Sequence, residues 1–185
     1  MNQSFAYLEL ILGPMFSKKT SRLIDIHKQC EYCNIPTLSL NHSFDTRYSK
    51  KQLSSHDKIM IPCHFINKNI IHYENIMEEY QNAQVILINE GQFFPDLVEM
   101  VEKMLKDGKK IYVCGLDGDF KQKKFGQILD LIPLCDKVTK LTSLCGKCKD
   151  GTAAIFSMRI TNENEQTVIG SDNYIPVCRK CNFNN

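Results

Sequence analysis

Apolar residues in this chain fall into short continuous runs that alternate with segments of helical spacing, the pattern of an α/β fold. The run from Phe5 to Leu12 reads as a buried strand that stops at Gly13 and Pro14, and the segment from Thr20 to about Cys33 follows it as a helix. Thr37–Leu40 is a second short strand. Val85–Ile88 is β-branched or Leu throughout, which predicts a strand covered on both faces of a parallel sheet. The next helix carries Leu97, Val98, Val101 and Leu105 on one face, with Pro95 in its first turn and Gly108 closing it. Lys110–Leu116 and Lys137–Leu141 supply further strands. A polar stretch runs through Lys58 and contains DTRY and the pair His56 and Asp57; its polarity predicts an active-site loop rather than core. Residues 1–141 are therefore expected to form a doubly wound, mainly parallel sheet. From 142 to 185 helical periodicity gives way to two CxxC pairs in polar, Gly-containing sequence, and a small metal-organised lobe is expected there.

At 185 residues and 43% hydrophobic content the chain suits one compact domain with a small appendage. Lys and Arg total 23 against 21 acids, spread without a basic block, so no nucleic-acid partner is expected. The N-terminus lacks the basic, apolar and small-residue regions of a signal peptide, and no apolar run reaches the roughly 18 residues of a membrane span. No membrane association is expected, and the expected compartment is the cytoplasm. Nine cysteines, an odd number without a secretory signal, favour thiols and metal over disulfides.

Three motifs carry chemistry. Gly13, Pro14, Met15, Phe16, Ser17, Lys18, Lys19 and Thr20 lie between a strand and a helix and approximate the phosphate loop GxxxxGK(S/T). Such a loop turns backbone N–H groups to the phosphates, with Lys19 on phosphate and the Thr20 hydroxyl on Mg²⁺. The alternative is a βα turn with a basic surface patch. Asn89 and Glu90 end the Val85–Ile88 strand, where open α/β sheets bind ligands. Phosphate-loop enzymes place an aspartate for the magnesium shell at the position of Asn89, and Glu90 is suited to accept a proton from an attacking hydroxyl. Helix capping is the alternative role for Glu90. Cys145 and Cys148 with Cys178 and Cys181 make two knuckles whose four thiolates suit tetrahedral, structural Zn²⁺. Cys30 and Cys33 are read as core or surface without metal, and Cys63, Cys114 and Cys135 as small buried residues.

GPMFSKKT, DTRY, EGQFFPD, LDGDF, FG before a Leu/Ile-rich helix, CxxC and YxxVCRxC occur here in the order found in the zinc-containing thymidine kinases of vertebrate cytosol, poxviruses and bacteria, which this sequence resembles from about Leu8 to Cys181. The resemblance implies phosphorylation of the thymidine 5′-hydroxyl by Mg-ATP, with Glu90 as general base. It also implies phosphate and magnesium handling by Asp45 and Arg47, a Gln92 beside the base, and Asn89 meeting magnesium through water. The implied base pocket is Met15, Phe93, Leu116, Phe120 and Phe125, for which plain core packing is the alternative. A lasso from Ser157 through Tyr174 is implied to cover the nucleoside, with Ser157, Gln166, Thr167, Val168, Ile169, Gly170 and Tyr174 in contact; it is one residue shorter than the family's GG-containing form. The family further implies a homotetramer and feedback binding of thymidine triphosphate.

Lys18 in place of glycine and Asn89 in place of aspartate both fall on the ATP side. A side chain at a left-handed position costs roughly 1–2 kcal/mol. Lys18→Gly is therefore expected to tighten Mg-ATP binding. These departures keep open a second reading, a catalytically impaired homologue that binds thymidine or its triphosphate as a sensor or scaffold. A zinc-ribbon nucleic-acid binder would need more basic residues than Arg179 and Lys180 on the ribbon.

Overall fold

The computed structural model describes residues 6–44, 52–54, 59–67, 69–70, 76–163, 165–168 and 170–184. In chain order these form β1 (Tyr7–Leu12), α1 (Lys19–Tyr32), β2 (Thr37–His42), β3 (Gln52–Ser54), β4 (Met60–Pro62), β5 (His64–Ile66), α2 (Met77–Asn82), β6 (Val85–Ile88), α3 (Leu97–Lys106), β7 (Lys110–Gly115) and β8 (Lys137–Lys140). One sheet takes the order β5-β2-β6-β7-β1-β8, and every pairing in it is parallel. All six carboxyl ends therefore share one edge.

Alternation along the strands splits the core into two layers. Leu8, Leu10, Leu12, Ile86 and Ile88 face α2, α3 and the 3₁₀ segment Ile128–Leu134, meeting Tyr80, Leu97, Met104 and Leu131. Ile11, Val85, Leu87 and Cys114 face α1, where Leu23, Ile24, Ile26 and Cys30 wait. Burial on both sides explains why these strands read as continuous apolar runs.

Several expectations change. α3 buries Leu97, Met100, Val101 and Met104, while Val98 and Leu105 are only partly buried. The two methionines complete the i, i+3, i+4 stripe, which turns the helix away from the expected face. Pro95 lies before the helix, whose N-cap is Asp96. The Leu/Ile-rich segment after Gly126 is a 3₁₀ helix containing Pro133, which lacks the N–H an α-helix would use. Part of the polar stretch before Lys58 is core: Leu53 on β3 and Ile61 on the antiparallel partner β4 are buried against α1's layer. Asp45, Arg47, His56 and Asp57 lie outside the described residues. Cys114 is buried as expected, but Cys63 and Cys135 are half-buried, and Cys33 is exposed beyond the end of α1.

After β8 the chain builds two antiparallel pairs, β9 (Ser143–Leu144) with β10 (Ala153–Ala154) and β11 (Phe156–Arg159) with β12 (Tyr174–Val177), and ends in α4 (Arg179–Phe183). Their small core is Cys145, Ala154, Met158, Val177 and Cys178.

Candidate active site

The loop from Gly13 to Lys18 leaves the carboxyl end of β1 and enters α1. Phe16 and Lys18 are left-handed, at φ 62° and 63°. Interleaved left- and right-handed residues make a concave backbone suited to anions, and non-glycine residues hold that shape only when the surroundings enforce it. Ser17 Oγ and the buried Lys19 Nζ both donate to the Pro14 carbonyl, at 2.8 and 2.7 Å, and so brace the loop from inside. The Met15 N–H donates to Ser157 Oγ at 2.9 Å, tying the loop to β11.

Asn89 and Glu90 follow β6 at the same sheet edge. The Asn89 Oδ1 accepts from Thr20 Oγ1 at 3.2 Å and Cys114 Sγ at 2.9 Å, while its Nδ2 donates to Asn41 Oδ1 at 2.9 Å. The amide therefore sits in a buried network that an aspartate would join only if Asn41 turned its own amide to donate. Cys114 thus braces the amide behind the cleft as well as filling the core. Glu90 is left-handed at φ 54° and its side chain caps no helix; the only helical turn it precedes is Gly91–Phe93. Its Oε2 accepts from Gln92 Nε2 at 2.6 Å, and Gln92 Oε1 accepts from the Leu116 N–H at 3.0 Å.

These residues open onto one cleft. Met15, Phe16, Ser17, Lys18, Lys19 and Thr20 line it on the loop side, with Glu90 and Gln92 beside them. Phe93, Leu116, Phe120 and Phe125 form its apolar wall, Phe93 meeting Phe125 edge-on at 5.4 Å. Ser157, Gln166, Thr167, Val168, Gly170 and Tyr174 cover it. Gly13, Pro14 and Asn89 stand behind the lining, and Ile169 lies outside the described residues. Two hydroxyls assigned to nucleoside by resemblance are engaged within the protein. Ser157 accepts from Met15, and the Tyr174 hydroxyl accepts from Arg159 at 2.5 Å and donates to the Val168 carbonyl at 3.3 Å.

Sequence reasoning missed Phe44, Ser54 and Asp119, which also line the cleft. Phe44 immediately precedes DTRY and meets Phe93 edge-on at 5.5 Å, and Asp119 lies within LDGDF, so both were within reach of their motifs. Beneath them burial lowers the pKa of His42, whose Nδ1 accepts the Phe44 N–H at 3.2 Å as a neutral ring does.

The sulfurs of Cys145, Cys148, Cys178 and Cys181 lie within 4.8 Å of one another. A zinc tetrahedron with bonds of about 2.3 Å has edges of about 3.8 Å, so these positions suit it. Cys145 Sγ accepts N–H bonds from Cys148 at 3.4 Å and Cys178 at 3.3 Å, and the Cys148 N–H leads in holding its thiol down at about 6. Hydrogen bonding to Cys181, Cys145 and Cys178 pushes the Cys148 thiol up to about 12.

The thymidine kinase family profile matches residues 6–182. The chain belongs to the thymidine kinase family. It is 42% identical to the thymidine kinase of Yaba monkey tumor virus, over 99% of this chain and 98% of that protein. It is 39% identical to thymidine kinase 1 of Dictyostelium discoideum, over 94% and 76% of the respective chains. Identity to the cytosolic thymidine kinase of Gallus gallus is 37%, over 95% and 76%.

The left-handed turn expected at Lys18 is present, and its setting bears on what Lys18→Gly would do. The Lys18 carbonyl accepts the Arg22 N–H at 3.0 Å, so its conformation is fixed by the start of α1 and its strain weighs on folding whatever the cleft holds. Lys18→Gly relieves roughly 1–2 kcal/mol of strain, against about 0.4–1 kcal/mol of added chain entropy in the unfolded state. It also removes an exposed charge worth up to about 1 kcal/mol near phosphate. The variant is expected to melt at or slightly above the wild-type temperature while its ATP KM rises by up to about fivefold. Tighter ATP binding in steady-state kinetics would contradict this.

Proposed function

We infer that this protein transfers the γ-phosphoryl group of ATP to the 5′-hydroxyl of thymidine, giving thymidine monophosphate. The observation that carries the inference is the meeting, in one cleft, of a phosphate-type loop and a strained glutamate beside a flat apolar wall, in a chain of this family. The loop residues 13–20 take the triphosphate, with Lys19 turning from the Pro14 carbonyl to phosphate and the helix start adding its dipole. Thr20, and Asn89 through water, would meet Mg²⁺ brought with ATP, and the resemblance assigns phosphate and magnesium handling to Asp45 and Arg47 as well. Thymine lies against Met15, Phe93, Leu116, Phe120 and Phe125, whose apolar surfaces suit a flat methylated ring. The segment 157–174 covers it.

Glu90 takes the proton of the 5′-hydroxyl as that oxygen bonds to the γ-phosphorus. The bond from phosphorus to the β,γ-bridging oxygen breaks, and ADP leaves with the electron pair. Gln92 orients the Glu90 carboxylate through the 2.6 Å bond. No observation favours the silent sensor: Asn89 sits in a satisfied hydrogen-bond network, and the strain at Lys18 weighs on folding.

Zinc at Cys145, Cys148, Cys178 and Cys181 is proposed as structural, since four thiolates leave no open position. It would organise a lobe over 142–185 distinct from a kinase core over 1–141, and the lobe's own small apolar cluster supports that division. A homotetramer, feedback binding of thymidine triphosphate and a cytoplasmic location are proposed from the resemblance. No helix among the described residues is long and apolar enough to cross a membrane.

Incubating the purified protein with Mg-ATP and each of the four deoxynucleosides tests the reading. Thymidine monophosphate is the expected product, and ATP binding without any monophosphate would overturn it. Glu90→Gln is expected to lower kcat by about 10²–10⁴-fold with thymidine affinity retained. An unchanged kcat would reduce Glu90 to a partner of Gln92. Cys178 directly follows β12, so Cys178→Ser is expected to lose zinc and raise the thymidine KM before the α/β core unfolds. Full zinc content by metal analysis in that variant would remove Cys178 from the ligand set.

A further inference from the structure

The loop over the cleft leaves β11 at Arg159 and returns to β12 at Tyr174, and these two residues are register partners across the strand pair. The Ile160 N–H donates to the Asn173 carbonyl at 2.9 Å and closes the neck. Arg159 is only 8% exposed, and the Glu163 carboxylate on the loop feels its charge. Its guanidinium reaches into the loop. Nη1 donates to the carbonyls of Glu163 at 2.9 Å and Glu165 at 2.6 Å, and Nη2 to the Gln166 carbonyl at 3.2 Å and the Tyr174 hydroxyl at 2.5 Å. The same group lies 3.8 Å from the centre of the Phe120 ring, which belongs to the opposite wall of the cleft. A second tie joins those walls, Gln166 Nε2 to Asp119 Oδ2 at 2.8 Å.

Resting on the thymidine kinase reading, we propose that Arg159 is a positioning residue for the nucleoside, a clasp that holds the loop over the cleft in its closed shape and sets the Tyr174 and Phe120 rings against it. A buried guanidinium is costly unless it is hydrogen-bonded, and here the loop carbonyls and the Tyr174 hydroxyl supply the acceptors of Nη1 and Nη2, while Nε has none among the described residues. Its flat fork spreads donors over two nitrogens that each reach two acceptors while its plane lies against a ring, a geometry that a lysine's single ammonium cannot reproduce. Tyr174 then serves thymidine through the loop: its hydroxyl passes the Arg159 contact on to the Val168 carbonyl.

The test uses the full-length, zinc-loaded protein. Arg159→Lys keeps the charge and is expected to raise the thymidine KM by about tenfold or more, with ATP KM and kcat within about threefold of wild type. Tyr174→Phe is expected to raise the thymidine KM less, and the double variant to add little to Arg159→Lys, since both act through one contact. Glu163 and Glu165 are exposed, so a glutamate-specific protease should cut the loop faster in Arg159→Lys and Tyr174→Phe than in wild type, and thymidine should slow the cut. An unchanged thymidine KM in a zinc-replete Arg159→Lys, or strictly additive effects in the double variant, would overturn the proposal. If Arg159→Lys loses zinc or unfolds, Tyr174→Phe decides, and wild-type cleavage in it overturns the clasp. Failure of the wild type to phosphorylate any nucleoside would sink the kinase reading, while the cleavage comparison would still decide the clasp.

Discussion

Gln92 is buried where the ends of β6 and β7 meet, and a single amide there joins two strands to one carboxylate. Its orientation is dictated by chemistry: the Leu116 N–H only donates, so Oε1 must face it, and the NH₂ is left to face Glu90. The backbone around it is built to let this happen. A Cβ at Gly115 would stand 2.3 Å from Gln92 Oε1, and one at Gly126 would stand 2.0 Å from the Gln92 carbonyl. EGQFF, the end of β7 and the FG pair are thus one packed unit, although they are far apart in sequence. Glu90 keeps its left-handed backbone because this unit surrounds it.

The all-parallel sheet does the rest of the assembly. Because every strand points the same way, the loop after β1, the residues after β2, the Asn89–Glu90 pair and Leu116 reach one edge together. The phosphate-loop side of the cleft is shaped by left-handed backbone and lysines, with a neutral amide network at Asn89 behind it. The opposite side is aromatic, and its cover comes from the cysteine-bearing lobe, fastened to the Gly13–Lys18 loop by Ser157 and to the LDGDF turn by Gln166. The two sides are therefore mechanically linked.

Much of this was legible in the sequence because buried parallel strands leave continuous apolar runs and tight βα loops leave motifs. The strand at Val85–Ile88, the one expected over Lys110–Leu116 and found over Lys110–Gly115, the loop 13–20 and the four clustered cysteines all leave such signals. The rest depends on contacts between distant residues. Leu53 looked like part of a polar loop because only its pairing partner Ile61 makes it core. Met100 and Met104 were passed over in favour of Val98 and Leu105, though only the full stripe defines the face of α3. Arg159 carries no motif, and its role comes from carbonyls and a ring that lie together only when the loop is folded. Cys114 looked like filling until Asn89 was placed beside it.

The central claim is that Gln92 holds the Glu90 carboxylate at the reacting hydroxyl, and the pH dependence of kcat in Gln92→Glu tests it most directly. The substitution keeps an acceptor for Leu116 but sets a second carboxylate at the 2.6 Å contact, and two carboxylates that close share a proton. The acid limb of the profile should move upward by about one pH unit or more, with activity recovering at higher pH. A profile that keeps the wild-type acid limb would mean that Glu90 is not the group whose ionisation governs turnover.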